Sequence, residues 1–126
     1  MLVRIDFGSE EAIYMQLCNQ IIYKIATADL RQGDVLPSVR DLAAEAQVNP
    51  NTMQRALTEL EREGLLVSGG TSGRTVTQDT GILTALREDT LGELARECAE
   101  RFAVFGVTPA QAAELLKKLD NKEEEI

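Results

Sequence analysis

The chain has 126 residues, 44% of them hydrophobic and 27% charged, with 13 Lys plus Arg against 21 Asp plus Glu and a formal net charge of −8. That length carries one compact domain plus an appendage, and the absence of histidine excludes imidazole metal sites and Ser-His or Cys-His nucleophile systems. Cys18 and Cys98 form no CxxC pair and no apolar run is long enough for a membrane span, so we expect a soluble cytoplasmic protein with reduced core thiols, no enzyme activity, no metal or cofactor and no membrane partner.

Residues 1–7, "MLVRIDF", alternate apolar and polar side chains and predict a short extended arm. Ser9 is placed to cap a first helix over Glu10–Ala28, whose apolar stripe is Ile13, Leu17, Ile21, Ile25 and Ala28. "RQGD" stops it, with Gly33 suited to a left-handed turn. "VLPS" then predicts an extended piece, because Pro37 keeps Leu36 out of helical geometry. Ser38 caps a second helix with Val39, Leu42, Ala43 and Ala46 inward.

"QVNPN" interrupts the pattern. Asn49 and Pro50 suit the cap and first turn of a third helix, which turns Met53, Ala56, Leu57 and Leu60 inward and ends at Gly64. "LLVSGGTSGRTVTQ" predicts a β-hairpin with arms Leu65–Ser68 and Arg74–Gln78. It is not a phosphate-binding loop: the spacing is one residue short, Arg74 stands where a lysine is needed, and a strand follows instead of a helix.

A fourth helix is expected over Ile82–Phe105, with Leu91, Leu94, Ala95, Cys98, Phe102 and Phe105 on one side, closed by Gly106. "TPAQ" announces a fifth, with Thr108 as cap, Pro109 in the first turn and Gln111 completing a capping box. Its apolar face is Ala112, Leu115, Leu116 and Leu119, and "DNKEEEI" is expected to fray.

Helix, short strand, helix, tight turn, helix and hairpin is the order of a winged helix-turn-helix, whose second paired helix enters the DNA major groove. The charge distribution agrees. Gln47–Thr58 contains Arg55 and no acid, and Gly64–Gln78 contains Arg74 and no acid. Fields are screened over about 10 Å at moderate salt, so a weakly positive face can exist on an acidic body. The expected fold class is α+β, mainly α. Residues 1–79 form the winged helix-turn-helix, and residues 80–126 a C-terminal two-helix dimerisation segment.

"GDVLPSVRDLA", "VNPNTMQRAL" and "LEREGLL" resemble the N-terminal domain of GntR-family bacterial transcription regulators over about residues 10–78, and "VNPNT" with the short C-terminal segment resembles the YtrA subfamily. The resemblance implies a transcription regulator, a repressor that binds a palindromic double-stranded operator as a homodimer. Ser38 and Arg40 match the positions at the start of the second helix, where the arginine contacts DNA. Asn49, Asn51, Thr52, Gln54 and Arg55 match the turn and the exposed face of the recognition helix. The wing departs from the family's "RRGxGT": the two arginines are replaced by Gly69 and Gly70, which leaves Thr71, Ser72, Gly73 and Arg74 to rest on phosphates.

Two short helices make a poor core of their own. Leu91, Leu94, Cys98, Phe102, Phe105, Leu115, Leu116 and Leu119 are therefore the expected dimer interface. The chain is expected to carry neither of the effector domains of the larger subfamilies. An unidentified small-molecule effector, if one acts, falls to that interface or to the junction with the winged domain. The competing reading is a winged-helix scaffold whose negative charge repels DNA.

Overall fold

A computed structural model of the protein describes residues 3–69 and 73–124, with side chains for all of these except residues 121–124. Its elements in chain order are α1 (Ile13–Ala26), α2 (Val39–Ala46), α3 (Pro50–Arg62), β1 (Leu66–Ser68), β2 (Arg74–Val76), α4 (Thr80–Ala103) and α5 (Pro109–Glu124). The chain divides into two compact units, Met1–Glu88 and Asp89–Ile126. The mainly helical winged architecture expected from the sequence is present.

In the first unit α3 packs on α1, α2 and β1. Leu17, Ile21, Leu42, Met53, Leu57, Leu60, Leu66 and Val76 are its most completely buried large side chains, drawn from every element before α4. Ile82, Leu83 and Leu86 of α4 close over the same core. β1 and β2 pair antiparallel, with Leu66 opposite Val76 and Ser68 opposite Arg74. The segment before α2 adds a short third edge: Val35 bridges Thr75, the Leu36 N–H donates to the Arg74 carbonyl at 2.9 Å, and the Val76 N–H donates to the Asp34 carbonyl at 2.9 Å.

Local chemistry sets most helix ends. The Ser38 hydroxyl accepts from the Asp41 N–H at 3.1 Å, and the Asn49 side-chain oxygen accepts from the Asn51 N–H at 2.8 Å. Gly64 ends α3 at φ +83°, where a Cβ would also sit 3.3 Å from Ile82 Cδ1. Thr108 and Gln111 form the reciprocal capping box, at 3.0 and 3.2 Å.

Helix α1 is shorter than its apolar stripe. It starts at Ile13 without a side-chain cap, because Ser9 instead accepts from the Glu11 N–H at 3.1 Å. It ends at Ala26, and Ala28 turns the chain away with φ +62° before Gly33 is reached. The N-terminal arm is extended without being a strand. Two carboxamides one helical turn apart hold it: Gln16 Oε1 accepts from the Asp6 N–H at 2.9 Å, Gln20 Oε1 accepts from the Arg4 N–H at 2.9 Å, and each amide nitrogen returns a bond to the same residue's carbonyl. The pair acts as a substitute strand, and Val3 is thereby buried in the core.

Gln47 closes α2 in the left-handed region at φ 58°. That conformation costs a side-chain-bearing residue about 1–2 kcal/mol, against which glycine loses about 0.5–1 kcal/mol of backbone entropy. Gln47→Gly is therefore expected to stabilise the first unit by about 0.5–1 kcal/mol, a rise in Tm of a few degrees. A melt showing an equal or lower Tm would contradict this.

Cys18 is buried, and its thiol donates to the Ala56 carbonyl at 3.6 Å. Burial first, then the negative charges of Glu63 and Glu59, push its pKa from 9.0 up to about 11. A raised pKa leaves stability intact at neutral pH and removes it as pH climbs from about 9 to about 11, where the unfolded chain ionises first. The alkaline fall in Tm is expected to be shallower in Cys18→Ala, and Cys18 is expected to alkylate at pH 8 only on unfolding.

The second unit comprises the rest of α4 and α5. Gly106, at φ +73°, makes the turn, and the Val107 N–H returns to the Phe102 carbonyl at 3.2 Å. α5 continues to Glu124, further than the expected fraying point. Cys98 is exposed and not a core thiol. Among the described residues of this unit only Ala112 is buried. Leu91, Leu94, Phe105, Leu115, Leu116 and Leu119 are all exposed, and Phe102 is half-buried.

Candidate nucleic-acid interface

The periodicity that buries Met53, Ala56, Leu57 and Leu60 leaves a second stripe on α3 facing out: Asn51, Gln54, Arg55, Thr58 and Arg62. Its first four members include no acid. Gln54 Nε2 lies 3.3 Å from Thr58 Oγ1, a weak exposed contact that an adenine edge could replace. Thr52 is half-buried beside the stripe. Asn49 spends its side-chain oxygen on the cap and keeps its amide donors, among the described residues, for an outside acceptor.

Helix α2 leads into the turn before this stripe and contributes Arg40 from its first turn. Arg40 is exposed, and its side chain makes no ion pair with a carboxylate among the described residues, although Asp41 and Glu45 are near in sequence. Ser38 is committed to its capping bond through its oxygen.

Arg55 is exposed yet held: its guanidinium carbon lies 3.8 Å from the centroid of the Tyr14 ring, on α1. Tyr14 was not singled out by the sequence. The only signal for it was an aromatic beside the buried stripe of α1.

The wing differs from expectation. Arg74 is mostly covered, with a side chain 17% exposed, and forms an ion pair with Glu61 of α3. Glu61 also accepts from the Ser68 hydroxyl at 2.9 Å. Arg74 thus ties the hairpin to α3 and is not an unengaged cation at the tip. Gly73 is exposed at φ +78°, with its carbonyl accepting from the Gly69 N–H at 2.6 Å. Thr71 and Ser72 lie outside the described residues.

The structure therefore brings Arg40, Asn49, Asn51, Thr52, Gln54 and Arg55 onto two adjoining helices of one unit, and turns Arg74 inward. No group of three or more acidic or thiol side chains that could hold a metal ion occurs among the described residues. No described helix is long and apolar enough to cross a membrane.

Known proteins resemble this chain in sequence and in fold. Residues 13–76 match the family described as "Bacterial regulatory proteins, gntR family". The chain is 32% identical over 112 residues to the uncharacterised HTH-type transcriptional regulator YhcF of Bacillus subtilis, covering 89% of this chain and 93% of that one. It is 42% identical over 65 residues to the HTH-type transcriptional repressor YtrA of Bacillus subtilis, covering 52% of this chain and 50% of YtrA.

Among solved structures, a GntR family transcriptional regulator from Listeria monocytogenes superposes with a TM-score of 0.77 at 30% identity, covering 90% of this chain and 98% of that one. AraR(DBD), solved in complex with operator ORX1, superposes with a TM-score of 0.56 at 25% identity, covering 60% of this chain and 96% of AraR(DBD).

Proposed function

The chain belongs to the gntR family of bacterial regulatory proteins and is a helix-turn-helix transcription regulator, and we propose that it acts in the cytoplasm as a repressor, gripping a two-fold symmetric operator as a homodimer. The observation that carries this reading is the acid-free outward stripe of α3 from Asn51 to Thr58, adjoined by an Arg40 with no ion-pair partner among the described residues, on a chain of net charge −8. A surface so depleted of acids in so acidic a chain suits a polyanion.

The assignments follow from each side chain's surroundings. Arg40 and the N–H groups at the start of α2 hold phosphate. Asn51, Thr52 and Gln54 meet the groove, and Gln54 pairs with adenine. Ser38 and Asn49 shape the two helix starts and reach the backbone only with what their caps leave over. The wing rests on the duplex through the region of Gly73, while Arg74 keeps it in place.

Two-fold symmetry comes from the second unit, whose exposed leucines and Phe105 pair with their copies in a partner chain. The similarity to the transcriptional repressor YtrA supports the direction of regulation.

Selection of bound sites from random DNA tests the reading in one step. We expect a palindromic motif with half-sites about 34 Å apart or a multiple of it. A folded, dimeric protein that enriches no sequence would instead be a protein-interaction scaffold.

A further inference from the structure

The described arginines on α3 and its hairpin divide by partner. Arg62 lies 2.5 Å from Glu59, and Arg74 is paired with Glu61. Arg55 has an aromatic partner instead and no carboxylate within ion-pair distance among the described residues. The difference matters chemically. A carboxylate neutralises a guanidinium and occupies its N–H donors, whereas a ring attracts the cation through its quadrupole and accepts none of the in-plane donors. Arg55 is thus held in place with its charge and its hydrogen-bonding fork still available.

Its position narrows the partner. The Tyr14 contact draws the Arg55 guanidinium to the side of the stripe that faces α1, over the first turn of that helix. A helix with its side chains is about 10–12 Å across and the major groove about 12 Å wide. Side chains on the flank of an inserted helix therefore meet the groove wall, which is sugar and phosphate. Glu59 and Glu63 lie further along the same α1–α3 groove, one and two turns beyond Arg55, and Arg62 engages the first of them.

We propose that Arg55 grips a backbone phosphate and reads no base, and that Tyr14 is the positioning residue that orients its guanidinium for that contact. This rests on the operator-binding reading above.

The test uses the full chain with two probes, the duplex recovered by selection and a duplex of unrelated sequence, at two salt concentrations. The variants are Tyr14→Leu, Tyr14→Phe, Arg55→Ala and the double Tyr14→Leu/Arg55→Ala, each first shown folded by its melt. With two copies per dimer, Tyr14→Leu is expected to weaken binding about 5- to 30-fold, by the same factor on both probes. Tyr14→Phe should stay within about twofold, because the ring remains. Arg55→Ala should lower the salt slope by about 1.8 per dimer. Tyr14→Leu should add nothing in the Arg55→Ala background.

Additive losses in the double variant or a defect in Tyr14→Phe would overturn the positioning role of Tyr14, and an Arg55→Ala loss confined to the selected duplex would overturn the phosphate contact. Because Arg55 is exposed, Arg55→Ala keeps the phosphate contact testable even if Tyr14→Leu unfolds. A wild-type protein that binds neither probe would defeat the operator reading itself. Wild-type binding with an unaffected Tyr14→Leu would remove only the positioning role.

Discussion

Leu116→Asp is expected to convert the proposed dimer into a folded monomer of 13.8 kDa and to weaken operator binding at least about 100-fold. Leu116 is 54% exposed within its own chain, Leu119 58% and Phe105 83%, so an aspartate at 116 costs the isolated protomer little. Any large effect must come from what covers that face. Fully burying a leucine contributes about 1.5–3 kcal/mol, and roughly half of that remains to be gained at Leu116. An unpaired carboxylate buried in the interface costs several kcal/mol more. In a two-fold interface each loss counts twice. A total of about 5 kcal/mol or more raises the dimer dissociation constant by at least about 1000-fold. Sedimentation at micromolar concentration checks it, with circular dichroism confirming that α4 and α5 persist. A wild type that sediments as a monomer, or a variant that stays dimeric, removes the assignment of this face to a second copy.

What the sequence disclosed, and what it withheld, follows from the range of each interaction. The helix-turn-helix was legible because its determinants are local: Ser38 and Asn49 bond to N–H groups within three residues, Pro50 pre-sets its own φ, and Thr108 and Gln111 bond each other. The inward stripe of α3 was equally plain from spacing. What the sequence withheld involves partners distant in sequence or conformations that composition does not announce. Nothing nearby in sequence marks Glu61, thirteen positions earlier, as the partner of Arg74. The Tyr14–Arg55 stack and the carboxamide clamp on the arm join elements that only the fold brings together. Ala28 and Gln47 take left-handed conformations that usually signal themselves with glycine. Cys98 and its apolar neighbours posed a different problem. Periodicity reveals that a helix face is apolar but not whether its own chain or another covers it.

Arg40→Ala and Gln54→Ala are expected to damage binding in separable ways, and their contrast tests whether α2 holds the backbone while α3 reads bases. Arg40 is exposed, unpaired among the described residues and set at the start of α2, the helix that crosses the backbone in this fold. Losing one phosphate contact lowers the salt slope of log K by about 0.9, so a dimer losing two is reduced by about 1.8 and binds about 60-fold more weakly near 0.1 M salt. That loss should be the same on every duplex, with dimerisation intact. Gln54 carries no charge, and its only described side-chain contact is the 3.3 Å approach to Thr58. Its truncation should leave the salt slope alone and cost about 1–3 kcal/mol of discrimination at one base position per half-site. Affinity titrations at several salt concentrations, paired with repeated site selection for each variant, resolve the two. If Arg40→Ala changes the selected motif, or Gln54→Ala changes only the slope, the division of labour between α2 and α3 is wrong. A phosphate contact cannot alter sequence preference directly, and a neutral carboxamide releases no counterions.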